Sequence, residues 1–282
     1  MSDPAPDALL KRLAAALSGQ RLHLLYQPKV RVSDGALVQV EALVRWDDGE
    51  LGPVDPARFV ALAEEHGLID ELTRWGLETA LRQWRTWHGE QIDTGIAFNI
   101  SALSLEQLDF PDFVEGMCRE HRVPTDRLII ELTEGATQPL IKLMDTLTRF
   151  RIKGIGLAID DFGTGYSSLM QLRQLPFTEV KIDRFFVNDA VNSKESRLII
   201  AAIVDLAHGL GLTVTAEGVE TREQLQLLLE LRCDVAQGYL ISRPLEPNKL
   251  SDWKRDFRAR WWALIEEERL ALWSDIEPNP LS

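Results

Sequence analysis

Apolar and polar positions along the 282-residue chain alternate between two periods. Short apolar runs of strand type stand at 22–30, 37–46, 94–100, 128–133, 156–160, 179–182, 213–216 and 235–240. Between most of them apolar residues recur at helical spacing, as at 56–66, 71–88, 105–122, 140–153, 195–210 and 222–231. Strand alternating with helix predicts a parallel sheet covered by helices. Eight such strands predict closure into a barrel. One link departs from the pattern. Only Ser33-Asp34-Gly35-Ala36 separates Val32 from Leu37, far short of the dozen or so residues that a parallel crossover needs. Asp-Gly between apolar runs is a hairpin signal, because both central turn positions favour positive φ. The expected fold is α/β: a (β/α)8 TIM-like barrel with one antiparallel strand, strands 1 and 2 forming a hairpin.

Three segments follow from the same pattern. Residues 1–19 read as a disordered lead (1–7) and a helix (9–17) stopped by Gly19. Residues 20–250 form the barrel. Residues 251–282 form a C-terminal extension, its helical pattern carrying Trp253, Phe257, Trp261, Trp262, Ile265 and Trp273. Two readings of these aromatics stand: packing on the barrel wall, or a dimer surface, since aromatics are enriched at interface cores. No short-period repeat, low-complexity tract or linker marks a second domain.

The formal net charge of -13 disfavours duplex nucleic acid, whose binding rests on Lys and Arg neutralising phosphates. It leaves room for a small phosphate ligand met through divalent cations. Cys118 and Cys233 lie far apart without CxxC or Cys/His spacing, so neither a disulfide framework nor a zinc site follows. There is no basic segment leading into an apolar run, and no stretch of about 18 apolar residues. The expectation is a cytoplasmic protein with no membrane partner.

Chemistry concentrates where strands finish. Glu41 and Arg45 lie on the second strand, Asn99 ends the third, and Glu131 and Glu134 end the fourth. Asp160-Asp161 closes the fifth, Lys181 and Asp183 the sixth, Glu217 and Glu220 the seventh, and Gln237 the eighth. From Asn99 to Gln237 the lead residues recur every 20 to 36 positions, about one barrel unit. The C-terminal strand ends of such a barrel meet at one mouth, the usual site of catalysis. Each residue has a plainer reading: Glu41 pairing with Arg45, Asp160-Asp161 making a turn and helix cap before Phe162-Gly163, Lys181 snorkelling from an apolar strand. The ensemble favours function. Two carboxylates about 4 Å apart repel by roughly 4 kcal/mol at an effective dielectric of 20, so Glu41, Glu131, Asp160, Asp161 and Glu217 together call for cations. The donors are oxygens without His or Cys, which points to Mg2+ or Mn2+ rather than zinc or copper. Paired divalent ions are a recurrent device for phosphodiester hydrolysis.

The motifs YQPKV (26–30), EALVRW (41–46), NIS (99–101), ELTE (131–134), DDFGTGYSSL (160–169), KIDRFFV (181–187), AEGVE (216–220) and QGYLISRP (237–244) carry a resemblance over roughly residues 20–250. The chain resembles the EAL-domain cyclic di-GMP phosphodiesterases, which open that bacterial second messenger to linear pGpG. The resemblance implies two metal ions per site. Glu41, Asn99, Glu131 and Asp160 would ligate one, and Asp160 would bridge to a second held also by Asp161. Glu217 would be a metal or water partner and a candidate general base. Lys181 would contact the nucleophilic water or the phosphate, and Gln237 would position the water and metal shell. Gln27 and Arg45 would meet substrate, with Leu43, Val44, Asp183 and Glu220 around it. Glu134 would hold the loop 162–168, which in the family couples metal binding to a homodimer contact; capping of the following helix is its plainer alternative. The competing function is a non-hydrolysing cyclic di-GMP receptor or protein-interaction module. The chain has no room for a receiver, PAS or GGDEF module, so it reads as either a short phosphodiesterase or an excised domain.

Overall fold

The computed structural model describes residues 6–19, 21–133, 140–163 and 169–274. The first helix, α1 (Pro6–Ser18), begins earlier than expected, because proline is tolerated in a first helical turn. Next come β1 (Leu22–Arg31), β2 (Leu37–Asp48), β3 (Gly52–Val54), α2 (Pro56–Glu65), α3 (Ile69–Gly89) and β4 (Gly95–Asn99). The chain continues through α4 (Phe110–His121), β5 (Leu128–Thr133), α5 (Leu140–Ile152), β6 (Gly156–Phe162), α6 (Leu169–Gln174) and β7 (Glu179–Ile182). It ends with α7 (Arg184–Asp189), α8 (Lys194–Gly209), β8 (Thr213–Ala216), α9 (Arg222–Glu230), β9 (Val235–Ala236) and α10 (Leu250–Ser274).

Eight of these strands close a barrel, in the order β1-β9-β8-β7-β6-β5-β4-β2 with β2 pairing back to β1; β3 hangs outside on β2. β1 runs antiparallel to both its neighbours, and every other barrel pairing is parallel. The reversed strand is therefore β1. The turn that reverses it differs from the expected two-residue form. Asp34 does not take positive φ; Gly35 alone does, at 68°. Residues 32–36 form a longer loop, in which the Asp34 carboxylate accepts from the Ala36 amide (3.0 Å) and pairs with Arg31 (2.7 Å). Gly35 is required twice over, since a Cβ there would lie 2.2 Å from the ring of Trp261.

Two expected elements are shorter or broken. The helix expected over 105–122 is a 3-10 turn (Ala102–Glu106) followed by α4, with Pro111 accommodated in the first turn. β9 stops at Ala236 because Gly238 sits directly on the Val219 backbone, where a Cβ would approach within 2.1 Å. The amides of Val219 and Leu240 then bond across this contact (both 3.0 Å) instead of extending a ladder. β3 was not foreseen.

The main core fills the space between barrel and helices. It takes in Leu250, Phe257 and Trp261 of α10, with Trp253 packed against it and its indole donating to the Ile241 carbonyl (3.2 Å). A second core joins Leu9, Leu13 and Leu17 of α1 to Trp46, Phe59 and Leu72. Phe257 and Trp261 of α10 are buried in the main core.

Candidate active site

Strand register assembles the site. Gln27 lies opposite Glu41 across the β1–β2 ladder, and Asn99 opposite Glu131 across β4–β5. Strand periodicity of two puts alternate residues on the inner face. Polar pairs two positions apart therefore build two inner layers: Gln27/Lys29 on β1, Gln39/Glu41 on β2, Glu179/Lys181 on β7 and Thr215 on β8 with Glu217 just beyond.

The Lys181 ammonium is the hub of the upper layer and is 1% exposed. It lies 2.7 Å from Glu217, 3.0 Å from Asp160, 3.0 Å from Glu131 and 4.0 Å from Glu41. Lys181 is thus enclosed by acids and does not snorkel. Glu41 is held by Asn99 Nδ2 (2.7 Å) and Gln237 Nε2 (2.6 Å). Its alternative pairing with Arg45 does not form; the Arg45 guanidinium donates to the Val44 carbonyl at 2.9 Å. Gln27 accepts from Gln237 (3.1 Å) and donates to the Ser242 carbonyl (3.0 Å), so it braces Gln237. Gln237 Oε1 is buried with no partner among the described residues.

Asp160 and Asp161 reach the same space by a break in strand geometry. Successive side chains on a regular strand point to opposite faces. The β6–β7 register shifts between Ile159 and Phe162, and Asp161 adopts φ 55°. Such backbone is uncommon outside glycine, with Asp among the residues that tolerate it. As a result Asp160, Asp161 and Glu217 each bring a carboxylate oxygen within 4.8 Å of the others.

Burial and charge divide the acids. Burial pushes the Glu131 carboxyl up, but Lys181 and Lys29 outweigh it and hold it down at about 2. Burial pushes Glu217 up to about 8 against the pull of Lys181, with Asp160 and Glu41 adding to the rise. Glu41 is raised by burial and by Glu131, again against Lys181. Asp161 is pushed up to about 6 by burial, by Asp160 and by its hydrogen bond with Asp183.

The remaining expected residues spread around the mouth. Leu43, Val44, Arg45 and Asn99 line a cavity of about 560 Å³ with Glu64 and Ser101. Asp183 caps α7 through the Phe185 amide (2.8 Å) while facing Asp161. Glu220 is exposed, and its backbone amide bonds Gln224 at the start of α9 (2.7 Å). Glu134 and residues 164–168 lie outside the described residues. The motif reading overlooked the lower layer of Lys29, Glu179, Gln39 and Thr215. The signal for it was present as polar residues two apart on otherwise apolar strands.

The donor set fits hard divalent cations: clustered carboxylate oxygens, the amide of Asn99 and the unpartnered carbonyl of Gln237. Glu41 and Glu131 lie outside the tight triad but share the Lys181 ammonium with it.

Comparison with known proteins agrees with this architecture. The EAL domain family model matches residues 10–244. The bifunctional diguanylate cyclase/cyclic di-GMP phosphodiesterase MucR of Pseudomonas aeruginosa is 41% identical over 244 residues, 86% of this chain and 36% of that protein. The cyclic di-GMP phosphodiesterase NbdA of the same organism is 41% identical over 251 residues, 88% of this chain and 32% of that protein. The chain thus spans about a third of the length of these relatives. The solved PaMucR phosphodiesterase in complex with c-di-GMP superposes with a TM-score of 0.81 at 40% identity, covering 86% of this chain and 99% of that one.

Proposed function

The chain belongs to the EAL-domain family, and from that premise we propose that it hydrolyses cyclic di-GMP to linear pGpG. One observation carries the reading: acids from β2, β5, β6 and the end of β8 meet around Lys181 at a single barrel mouth, beside a 560 Å³ cavity. Glu41, Asn99, Glu131 and Asp160 would hold one divalent ion, and Asp160, Asp161 and Glu217 a second, Mg2+ or Mn2+ in each case. When bound, such ions neutralise phosphate charge and acidify water.

The chain's own residues supply the rest. Glu217, beside Asp160 and Asp161, is the candidate to take a proton from water once a bound cation holds its carboxylate ionised. Lys181 presents a fixed cation to the phosphate. Gln237, braced by Gln27, keeps a buried carbonyl without a partner among the described residues, free to hold water or a cation. Arg45, Leu43 and Val44 border the cavity where the rest of a dinucleotide would be received, and Asp183 and Glu220 would be further contacts outside that lining. Water attacks phosphorus, one phosphodiester P–O bond breaks, and the 3′ oxygen leaves with a proton.

We assign the enzyme to the cytoplasm, where its substrate is a second messenger. No helix among the described residues is long and apolar enough to cross a membrane. We assign it also as a homodimer, supported by the exposed apolar side chains Phe185, Leu198 and Ile199 on the neighbouring helices α7 and α8. Light scattering of the active enzyme tests that assignment, and a fully active monomer overturns it. The activity itself is tested by incubation with cyclic di-GMP and Mg2+ or Mn2+, with and without chelator, followed by chromatography for pGpG. Product is expected only with metal, and Glu41→Ala should lower turnover by at least about 100-fold. Tight binding without product across metals and pH would favour a receptor instead.

A further inference from the structure

Beneath the mouth, the barrel interior departs from the layers of branched apolar residues that usually fill it. Lys29 of β1 is 0% exposed and Glu179 of β7 is 3% exposed. The Lys29 ammonium bonds Glu131 Oε1 and lies 3.7 Å from Glu179 Oε1. Both oxygens of Glu179 are themselves engaged: Thr215 donates to one (2.6 Å) and Gln39 to the other (3.1 Å). Gln39 also sits directly opposite Lys29 in the β1–β2 ladder. The lysine therefore hangs from a fixed anchor, and its one bond upward goes to a residue of the site.

Stability alone gives little reason to keep such a pair. Buried ion pairs can often be replaced by apolar residues of similar volume without loss, because desolvation offsets the attraction. Geometry gives a better one. Lys29 takes Oε1 of Glu131 from below and leaves Oε2 facing the mouth, where it lies 3.0 Å from Lys181. A carboxylate held at one oxygen cannot swing about its last torsion. Groups that orient metal ligands in this way typically change metal affinity 10- to 100-fold when removed.

We propose that Lys29, anchored by Glu179, is a positioning residue that fixes Glu131 from beneath and thereby sets the affinity of the site for divalent cations. This rests on the reading of the mouth as a metal site. Lys29 does not touch substrate in this scheme; it acts through Glu131.

The test is the double variant Lys29→Met/Glu179→Gln. It removes one positive and one negative charge, so the net charge under the site is unchanged and an altered affinity reports orientation rather than bulk attraction. Gln at 179 can still accept from Thr215, and its amide can donate to Gln39 Oε1, which is buried without a partner among the described residues. Mn2+ binding is measured by the loss of the free-ion signal in electron paramagnetic resonance, without substrate, alongside thermal melting. The expected result is a melting temperature close to the parent and Mn2+ affinity weakened tenfold or more. A weakening of less than tenfold overturns the proposal. Lys29→Gln/Glu179→Gln provides a second packing of the same neutral pair. If neither variant folds, the pair belongs to the fold alone and the positioning role is overturned as well. A parent protein that binds no Mn2+ sinks the metal reading itself, which separates that failure from failure of the Lys29 role.

Discussion

Replacing Lys181 by Met removes the only lysine of the upper layer while leaving a side chain of similar length. Four carboxylates lie within 4.0 Å of its ammonium. Each contact is worth about 4–6 kcal/mol at an effective dielectric of 20, yet the sum is never realised, because acids stripped of a partner take up protons. Breaking one buried pair by removing a partner typically costs about 3–5 kcal/mol. At roughly 2–4 °C per kcal/mol for large domains, chelated Lys181→Met should melt roughly 6–20 °C below the parent at pH 8. The deficit should shrink at pH 5.5, where protonation relieves the acids, and saturating Mn2+ should recover at least half of it. Differential scanning fluorimetry with and without chelator measures all three. A variant melting within about 2 °C of the parent in chelator at pH 8 would refute the hub role of this lysine.

Glu217 supplies a pH test. Its folded carboxyl sits at about 8 against an ordinary value of 4.5. Between those values the folded chain holds a proton that the unfolded chain releases, so the stability it contributes is full below 4.5 and fades as pH climbs through 8. Melting temperatures in chelator should fall from pH 5.5 to 8.5, and Mn2+ should flatten the slope; a rising profile in chelator counts against the assignment. Asp161→Asn should keep the melting temperature but weaken Mn2+ binding, whereas Asp161→Val should also lose about 1–2 kcal/mol by forcing a β-branched residue to positive φ. Equal melting of the two would contradict the strain argument. Gly35→Ala should cost about 1–3 kcal/mol through positive φ and overlap with Trp261, visible in urea titration, with kcat preserved. An unchanged midpoint would remove the steric case.

The barrel, its reversed strand and the mouth residues were legible because each rests on a short-range signal. Charged groups at the ends of apolar strands are costly unless they meet partners, so Glu41, Glu131, Asp160 and Lys181 announced themselves. The lower layer was harder to see. Lys29 sits within the YQPKV motif with nothing in the sequence to name its partner, and Glu179 begins a strand, where an exposed end is the ordinary reading. Only the register of the closed barrel puts those two, 150 positions apart, within reach. The sequence placed Asp160 and Asp161 at one mouth, but the backbone that lets neighbouring residues share that space escaped the pattern. It depends on one left-handed residue and a register shift, and neither leaves a periodic trace. β9 was overextended because its apolar residues continue past the point where Gly238 meets the Val219 backbone. The short β3 and α7 carry too few residues for periodicity to register.

The inverted direction of β1 has a mechanical corollary. In an all-parallel barrel the opening strand would start at the floor; here it starts at the rim, with Leu22 facing Trp46 near the far end of β2. That choice carries α1 to the rim too, where Arg12 grips Asp48 at 2.8 Å. α10 instead spans the wall: Trp253 meets the Ile241 carbonyl at 3.2 Å, one residue before Ser242, while Trp261 lies over the hairpin loop at the floor. The helices that bracket the barrel in sequence therefore bear on different groups. A push on α1 bears on the strand end that carries Leu43, Val44 and Arg45, while a push on α10 reaches the Ile241–Ser242 segment whose Ser242 carbonyl holds Gln27.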